Sequence, residues 1–164
     1  MPDNNILSSS VAEKKLQRMT FEILEKNSDE VNIILAGIKE NGLIIANIIK
    51  KFLEKIFKGE ISVIEITIDK SDPKNISISS NQNFDKSVII IVDDVANSGK
   101  TLLYALKPFL GFYPKKIQTL VLVERSYKQF PVSPDYVGLS VSTTADEIII
   151  VETKEGKVTG ARLQ

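Results

Sequence analysis

The sequence contains no cysteine and no histidine among its 164 residues. Without cysteine the chain has no disulfide, no thiolate nucleophile and no cysteine ligand for zinc. Without histidine it lacks the usual general base of nucleophilic hydrolases and any imidazole ligand for a metal. Any chemistry must therefore come from carboxylates, lysines, hydroxyls and backbone amides, and a hard cation such as magnesium is the metal that suits them.

An excess of charge of either sign is also absent, because Lys+Arg and Asp+Glu both number 21. Such a balance gives no net field that would attract nucleic acid or an anionic membrane. No apolar run approaches the roughly 20 residues of a membrane span. The polar start Met1-Pro2-Asp3-Asn4-Asn5 lacks the basic region of a signal peptide. We expect a cytoplasmic protein that does not bind membranes and that forms a single domain over residues 1–164.

Apolar runs and helical periodicities alternate along the chain. Strands are predicted at Val31–Ile38, Ile61–Ile68, Val88–Val92, Lys116–Val123, Tyr136–Val141 and Ile148–Val151, and Gly156 and Gly160 punctuate a terminal hairpin. Helices are predicted from about Ser8 to Asn27, beyond Gly42 to Ile56, and from about Ser98 to Leu110 with Leu102, Leu103, Leu106, Phe109 and Leu110 facing inward. This alternation, with strands apolar on both faces, predicts an α/β fold with a mostly parallel central sheet flanked by helices.

One long stretch, residues 69–86, breaks this pattern. Its sequence DKSDPKNISISSNQNFDK is strongly polar and rich in turn-forming residues. Polar connections of that length inside a compact domain are usually functional lids or disordered segments. We therefore expect residues 69–86 to be poorly ordered or mobile without ligand.

The most informative segment follows the most apolar strand, where Asp93 and Asp94 precede the loop Val95–Thr101. Ligands of open α/β sheets bind beyond the carboxyl ends of the strands. Two adjacent acids at such an end require hydroxyls, a cation or water as partners. The amides and hydroxyls that open the next helix can bind a phosphate. Acids for a polyol beside a phosphate site predict a sugar-phosphate ligand.

This segment has two other interpretations. Gly99-Lys100-Thr101 matches the end of a nucleotide-binding P-loop, but that motif needs glycine where this chain has Asp94, and a carboxylate there would repel the phosphates. Alternatively, the two acids merely cap the following helix.

The run Val88–Leu102 resembles the phosphoribosyl-diphosphate (PRPP) signature of type I phosphoribosyltransferases. Within that superfamily the chain is most similar to the bifunctional pyrimidine-operon attenuator/uracil phosphoribosyltransferases. The supporting stretches are Ile33–Lys39, Val121–Arg125 and Pro131–Gly138. The resemblance covers nearly the whole length, and the PRPP loop is its most diagnostic part.

This resemblance implies roles for individual residues. Asp93 and Asp94 would be the catalytic acids, bonding the ribose hydroxyls beside an oxocarbenium-like transition state. The 5-phosphate would lie against Val95, Ala96, Asn97, Ser98, Gly99, Lys100 and Thr101; the pyrophosphate loop would be Lys39, Glu40, Asn41 and Gly42; the base pocket would be Val123, Glu124 and Arg125. Magnesium would be held indirectly by Asp93 and Asp94, through ribose or water.

The resemblance also implies an activity and its partners. The chain would transfer the phosphoribosyl group of PRPP to a nucleobase, most simply uracil, giving a nucleoside monophosphate and pyrophosphate with Mg²⁺. Residues 69–86 would form a small mobile hood over the site, and the protein would be a homo-oligomer, a dimer or larger. Two alternatives stay open: a non-catalytic PRPP or nucleotide sensor, and a purine-type phosphoribosyltransferase on the same fold.

The sequence departs from the family at the pyrophosphate side. The family places Thr-Arg after the lysine, whereas this chain has Glu40-Asn41, and the family's hood arginine is replaced at best by Lys70. An acid repels pyrophosphate, and lysine lacks the guanidinium fork. We expect weak, strongly magnesium-dependent PRPP binding, and we expect Glu40→Thr with Asn41→Arg to tighten it and raise turnover.

RNA is a partner that the resemblance admits but that this sequence disfavours. Phe21 stands where the first helix of the family carries a histidine that contacts RNA. Only Arg18, Lys26, Arg125 and Lys128 remain as candidate contacts. Phosphate-driven affinity for RNA requires several cations on one face, so RNA binding is disfavoured but stays open.

Overall fold

The computed structural model describes residues 4–69 and 71–164, so Met1–Asp3 and Lys70 lie outside the described residues. The strands are β1 (Asn5–Ser8), β2 (Asn32–Ile38), β3 (Glu60–Ile68), β4 (Ile76–Ile78), β5 (Val88–Ala96), β6 (Lys116–Arg125), β7 (Tyr136–Val141), β8 (Ile149–Lys154) and β9 (Lys157–Leu163). The helices are α1 (Ser9–Asn27), α2 (Asn41–Leu53) and α3 (Lys100–Ala105), followed by a 3-10 helix at Lys107–Phe109.

The main sheet has six strands in the order β4-β3-β2-β5-β6-β7. Every neighbouring pair is parallel except β3 and β4, which run antiparallel at one edge. The connections through α2 and α3 return the chain to the same end of the sheet, so the carboxyl ends of β2, β5 and β6 lie together. The predicted α/β class with a mostly parallel sheet is confirmed.

Helices cover both faces of the main sheet, as predicted. Alternate residues of β5 divide between two cores, with Ile90 packed on the side of α1 and α2 and Ile89 and Ile91 on the side of α3. All three side chains are inaccessible to solvent. Burying each contributes about 1.5–3 kcal/mol, which explains why this strand is continuously apolar.

A second, antiparallel sheet of three strands, in the order β1-β9-β8, is called here the small sheet. Its β8–β9 hairpin turns at Gly156, whose φ of +74° is a conformation that glycine adopts readily. The predicted terminal hairpin is therefore confirmed, although β8 runs to Lys154 rather than ending at Val151. Val151 and Val158 pack into the core formed with α1 and α2.

The third predicted helix is shorter than expected. It begins at Lys100 and ends at Ala105, and Pro108 follows within the 3-10 helix. Proline has no N–H to donate and clashes with the preceding turn, so the α-helix cannot continue. The expectation that Leu110 faces inward is wrong, because it is 68% exposed. No helix among the described residues has the length and apolar composition needed to cross a bilayer.

The polar stretch 69–86 is not without structure where it is described. Its β4 pairs with β3, placing Ile78 opposite Ile66 at the sheet edge. Phe84 is fully buried and contacts Phe109 edge to face, with ring centroids 5.0 Å apart. The hydroxyl and the backbone N–H of Ser71 donate to Asp69 and lower the pKa of that carboxyl. The mobility expected of this stretch remains a prediction.

Candidate active site

The site forms where β5 extends past its neighbour β2. The last pair between these strands is Gly37 with Val92, whereas β5 continues beside β6 to Ala96. Asp93 and Asp94 therefore lie within the strand, not after it as the predicted end at Val92 implied. The apolar Val121 and Val123 of β6 hold this extension in register, and the opposite edge of β5 is left open.

A cavity of about 460 Å³ occupies the space beside this open edge. It is lined by Ile38, Lys39, Glu40, Asn41, Asp93, Asp94, Val95, Asn97, Thr101, Ile149, Ile150 and Val151. The residues come from the end of β2, the extension of β5 and the small sheet. The structure thus brings the predicted acid pair and the predicted pyrophosphate loop to one cavity.

The two aspartates are held by hydrogen bonds along the strand. Asp93 is 8% exposed, and its Oδ1 accepts from the N–H of Asp94 at 2.8 Å. Asp94 is half-buried; its Oδ1 accepts from the N–H of Val95 at 2.8 Å and its Oδ2 from Nδ2 of Asn41 at 2.9 Å. Such donors stabilise ionised carboxylates. Since each oxygen has two lone pairs, Asp94 keeps capacity for further hydroxyl donors.

Residues Val95–Leu102 enclose a second, small concavity of about 50 Å³. Gly99 bends the loop with φ +88°, and a Cβ there would lie 3.2 Å from the carbonyl oxygen of Phe130. The carbonyl of Ser98 accepts from the N–H groups of Gln129 and Phe130, both at 3.0 Å, which anchors the loop. Because α3 has only six residues, the backbone N–H groups and hydroxyls, rather than a long helix dipole, suit this concavity to an oxyanion.

The loop between β2 and α2 borders the other side of the cavity. The N–H of Lys39 donates to the carbonyl of Ile66 at 2.9 Å, and the peptide between Lys39 and Glu40 is cis. Both side chains are exposed. Gly42, in the first turn of α2, lies so close to β5 that a Cβ would be 2.5 Å from the carbonyl oxygen of Val92. This contact explains the glycine: any side chain would push α2 away from the acid pair.

Asn41 makes contacts that sequence reasoning missed. Its Nδ2 donates both to Asp94 Oδ2 at 2.9 Å and to the carbonyl of Val151 at 3.0 Å, and its Oδ1 accepts from Thr153 Oγ1 at 2.9 Å. Asn41 therefore joins the β2–α2 loop to the acid pair and to β8. Val151 and Thr153 lie far along the chain, so no local pattern could have indicated these partners.

The residues predicted for the base pocket do not line the cavity. Val123 is completely buried in the core, since β6 continues past it. Glu124 accepts from Lys128 at 3.1 Å and from Ser140 at 2.7 Å. Arg125 donates from Nε to the hydroxyl of Thr143 at 2.7 Å and from its other end to the carbonyl of Thr144. These two side chains tie together loops beside the site.

The element that covers the cavity is the small sheet, through Ile149, Ile150 and Val151. None of the described residues of the stretch 69–86 lines it. That residues 69–86 form a mobile hood over the site stays a prediction. The described part of this stretch pairs with β3 at the edge of the main sheet, and Lys70, the substitute for the hood arginine, lies outside the described residues.

The cations suggested for RNA contacts have partners within the protein. Arg18 pairs with Glu22 and donates to two carbonyls of β7. Lys26 lies 4.7 Å above the ring of Tyr136, where burial raises the pKa of the tyrosine hydroxyl to about 12. Lys128 pairs with Glu124. Arg18 and Lys26 thus connect α1 to β7, and Lys128 connects the loop after β6 to that strand.

The carboxylate oxygens at the cavity are suitable ligands for a magnesium ion that binds together with a phosphorylated ligand. Within residues 4–69 and 71–164, no group of three or more His, Cys, Asp or Glu side chains forms a metal cage. Magnesium usually keeps several waters and takes one or two carboxylates together with substrate phosphates. Asp93 and Asp94 provide such a pair, so the residues present fit this cation.

Comparison with known proteins agrees with this geometry. The family model described as phosphoribosyl transferase domain matches residues 3–155. The Bifunctional protein PyrR of Streptococcus pneumoniae is 33% identical over 161 residues, covering 94% of this chain and 92% of the relative. Both matches include the acid pair, the β5–α3 loop and the β2–α2 loop.

Solved structures share the architecture. The hypoxanthine phosphoribosyltransferase of Trypanosoma cruzi superposes with a TM-score of 0.81 at 14% identity, covering 99% of this chain and 98% of that one. A hypoxanthine-guanine phosphoribosyltransferase from Bacillus anthracis gives 0.71 at 16% identity, with 90% and 86% covered. At these identities the likeness concerns the fold alone, and it confirms the predicted one.

Proposed function

The chain belongs to the phosphoribosyl transferase domain family, and on this premise we propose that it transfers the phosphoribosyl group of PRPP to a nucleobase, releasing pyrophosphate. One observation carries the proposal: the acid pair and the small oxyanion-sized concavity adjoin. Val95, Asn97 and Thr101 line both the 460 Å³ cavity and the 50 Å³ concavity. A single ribose 5-phosphate can therefore reach from one to the other.

The ribose is assigned to Asp93 and Asp94. Their carboxylates accept hydrogen bonds from the 2- and 3-hydroxyls, and charged hydrogen bonds of this kind are worth about 1.5–3 kcal/mol each. Positive charge develops on the ribose ring as the bond to pyrophosphate breaks. Fixed carboxylates in a half-buried site stabilise that charge without reorganising.

The 5-phosphate is assigned to Asn97–Thr101. The loop is fixed by the left-handed Gly99 and by the hydrogen bonds that the N–H groups of Gln129 and Phe130 donate to the carbonyl of Ser98. Lys100 and the hydroxyl of Thr101 add a positive charge and a donor to the backbone N–H groups. Anchoring the phosphate here positions the anomeric carbon in the larger cavity.

The pyrophosphate is assigned to the β2–α2 loop, where Lys39 attracts it and Glu40 opposes it. Magnesium, when bound, neutralises the charge of the leaving pyrophosphate. Asp93 and Asp94 would hold the ion indirectly, through the ribose hydroxyls or water. The exposed Glu40 makes the ion more important here than in a loop without an acid.

Uracil is the proposed base, on the strength of the resemblance to the pyrimidine-operon attenuator/uracil phosphoribosyltransferases. The second candidate is a PRPP or nucleotide sensor without turnover. It is favoured by Glu40-Asn41, which stand where the family has Thr-Arg and leave fewer positive groups beside the pyrophosphate. The partners found for Arg18, Lys26 and Lys128 favour an enzyme over an RNA-binding regulator.

Steady-state assay of pyrophosphate release tests the proposal. The protein is incubated with PRPP and Mg²⁺ and with uracil, hypoxanthine, guanine or adenine in turn. The matched control is the double variant Asp93→Asn with Asp94→Asn, in which the side chains keep their size and lose their charge. Release with uracil alone supports the proposal, and release with a purine reassigns the base. PRPP binding without release from any base supports the sensor. A protein that neither binds PRPP nor releases pyrophosphate would overturn both candidate functions.

A further inference from the structure

Asn41 occupies the junction of three parts of the site. We propose that it is a positioning residue, which aims the Asp94 carboxylate at the ribose hydroxyls and ties that carboxylate to the small sheet through Thr153. The inference rests on the proposed function. It assigns Asn41 a positive role in the site, whereas the sequence comparison showed only that this position lacks the family's arginine.

Both the amino group and the carbonyl oxygen of the Asn41 carboxamide are hydrogen-bonded within the protein. The carboxamide has two N–H donors and one carbonyl acceptor. The donors go to Asp94 Oδ2 at 2.9 Å and to the carbonyl of Val151 at 3.0 Å, and the acceptor receives the hydroxyl of Thr153 at 2.9 Å. Two acceptors on one side and a donor on the other leave only one orientation of the amide that satisfies all three partners.

This arrangement fixes Asp94 without blocking it. Val95 holds one carboxylate oxygen through its N–H and Asn41 holds the other. A carboxylate has about four lone-pair positions, so two stay available to hydroxyls. A carboxylate already oriented loses less side-chain entropy when the ribose binds, which makes binding tighter.

The small sheet takes part through two nearby residues of β8. The backbone carbonyl of Val151 accepts from Asn41, and the side-chain hydroxyl of Thr153 donates to it. Val151 lines the cavity and Thr153 does not. Thr153 can therefore be altered without removing a group that touches the ligand, and any effect on ribose must travel through Asn41.

The test compares two ligands in three proteins by calorimetry. Inorganic phosphate probes the β5–α3 loop alone, whereas ribose 5-phosphate also needs Asp94. Thr153→Val keeps the shape and removes the hydroxyl, and Thr153→Ser keeps the hydroxyl. We expect Thr153→Val to weaken ribose 5-phosphate about fivefold, the scale of one hydrogen bond, and to leave phosphate unchanged. Thr153→Ser should restore wild-type affinity.

Each other outcome decides a different question. Unchanged ribose 5-phosphate affinity in Thr153→Val overturns the positioning role alone. Parallel losses of phosphate and ribose 5-phosphate indicate general damage and also overturn it. A wild-type protein that binds ribose 5-phosphate no better than phosphate overturns the proposed function, and the inference with it.

A measurement on the wild type covers the case in which a variant does not fold. The two side-chain amide protons of Asn41 should exchange slowly with solvent in nuclear magnetic resonance spectra, because both are donated within the protein. The exposed Asn81 serves as the fast-exchanging reference. Exchange of Asn41 as fast as that of Asn81 would show that the bridge does not persist, which overturns the inference.

Discussion

Two neighbouring loops at the same edge of the sheet are built in different ways. In the β5–α3 region the key bonds are local: Asp94 donates to Asp93, Val95 to Asp94, and Lys100 to Ser98. In the β2–α2 region the bonds reach across the molecule, from Lys39 to β3 and from Asn41 to β5 and β8. The first region relies more on its own sequence, with added support from β6 and from Gln129 and Phe130, whereas the second relies on distant partners.

This difference separates what each loop contributes. The β5–α3 region carries the groups proposed to bind ribose and phosphate, and most of its loop has no contact with the small sheet. The β2–α2 region, which is proposed to orient Asp94 and to face the pyrophosphate, depends on contacts with the small sheet. Substitutions in the two regions should therefore separate ribose and phosphate affinity from pyrophosphate affinity.

The largest effect is expected from Asp93→Asn combined with Asp94→Asn. Two charge-assisted hydrogen bonds are weakened, so ribose 5-phosphate and PRPP should bind at least about a hundredfold more weakly. Inorganic phosphate should bind at least as tightly as in the wild type, because its loop is unchanged and two neighbouring negative charges are removed. Calorimetry measures both affinities, and circular dichroism checks that the fold is intact. A matching loss of phosphate affinity would mean that the two subsites are not independent.

A smaller effect, about tenfold, is expected from Asn41→Arg. Arginine has no acceptor for the hydroxyl of Thr153, so the bridge is lost and ribose 5-phosphate should bind more weakly. The expectation that Glu40→Thr with Asn41→Arg tightens PRPP binding and raises turnover concerns the pyrophosphate, and it stays a separate prediction. Glu40→Thr alone is the control, since it leaves the bridge in place. Unchanged ribose 5-phosphate affinity in Asn41→Arg would mean that the bridge does not position Asp94.

The contrast also explains how far the sequence could be interpreted. The strands could be predicted because they are continuous apolar runs. The acid pair and the loop after it could be predicted because they form one uninterrupted segment of the sequence. The extension of β5 to Ala96 was missed because it depends on Val121 and Val123 of β6. The bridge of Asn41 was missed because Val151 and Thr153 contact it only in the folded chain. The prediction that Leu110 faces inward was wrong because it continued the helix past Pro108, which ends it.

A third prediction compares two glycines with positive φ. Gly99→Ala and Gly156→Ala should each lower the free energy of unfolding by about 1–2 kcal/mol, because alanine is strained in the left-handed region. Only Gly99→Ala also meets a neighbour, the carbonyl of Phe130, whereas Gly156 faces open space. Phosphate affinity should therefore fall about fivefold in Gly99→Ala alone. Denaturant unfolding and phosphate titration measure the two effects, and equal phosphate affinities would exclude this loop as the oxyanion site.

The smallest effect is expected from Glu40→Gln. Removing an exposed charge beside the pyrophosphate should tighten pyrophosphate binding about two- to threefold in the absence of magnesium, since exposed charge pairs are worth about 0–1 kcal/mol. Salt should reduce the gain. Glu60→Gln, at the opposite end of the sheet, is the matched control. No gain at low salt would mean that Glu40 does not face the pyrophosphate.

The pairing of β1 with β9 has a consequence for how the site is assembled. Asn5 lies opposite Arg162, so nearly the whole chain separates two hydrogen-bonded neighbours. Contacts of such high contact order form late, because closing a large loop costs entropy before any bond rewards it. On a ribosome, the acid pair and the β5–α3 loop emerge well before β9 can join β1 and β8. A nascent chain would therefore acquire the β5–α3 loop before it acquires the small sheet, whose Thr153 bonds to Asn41.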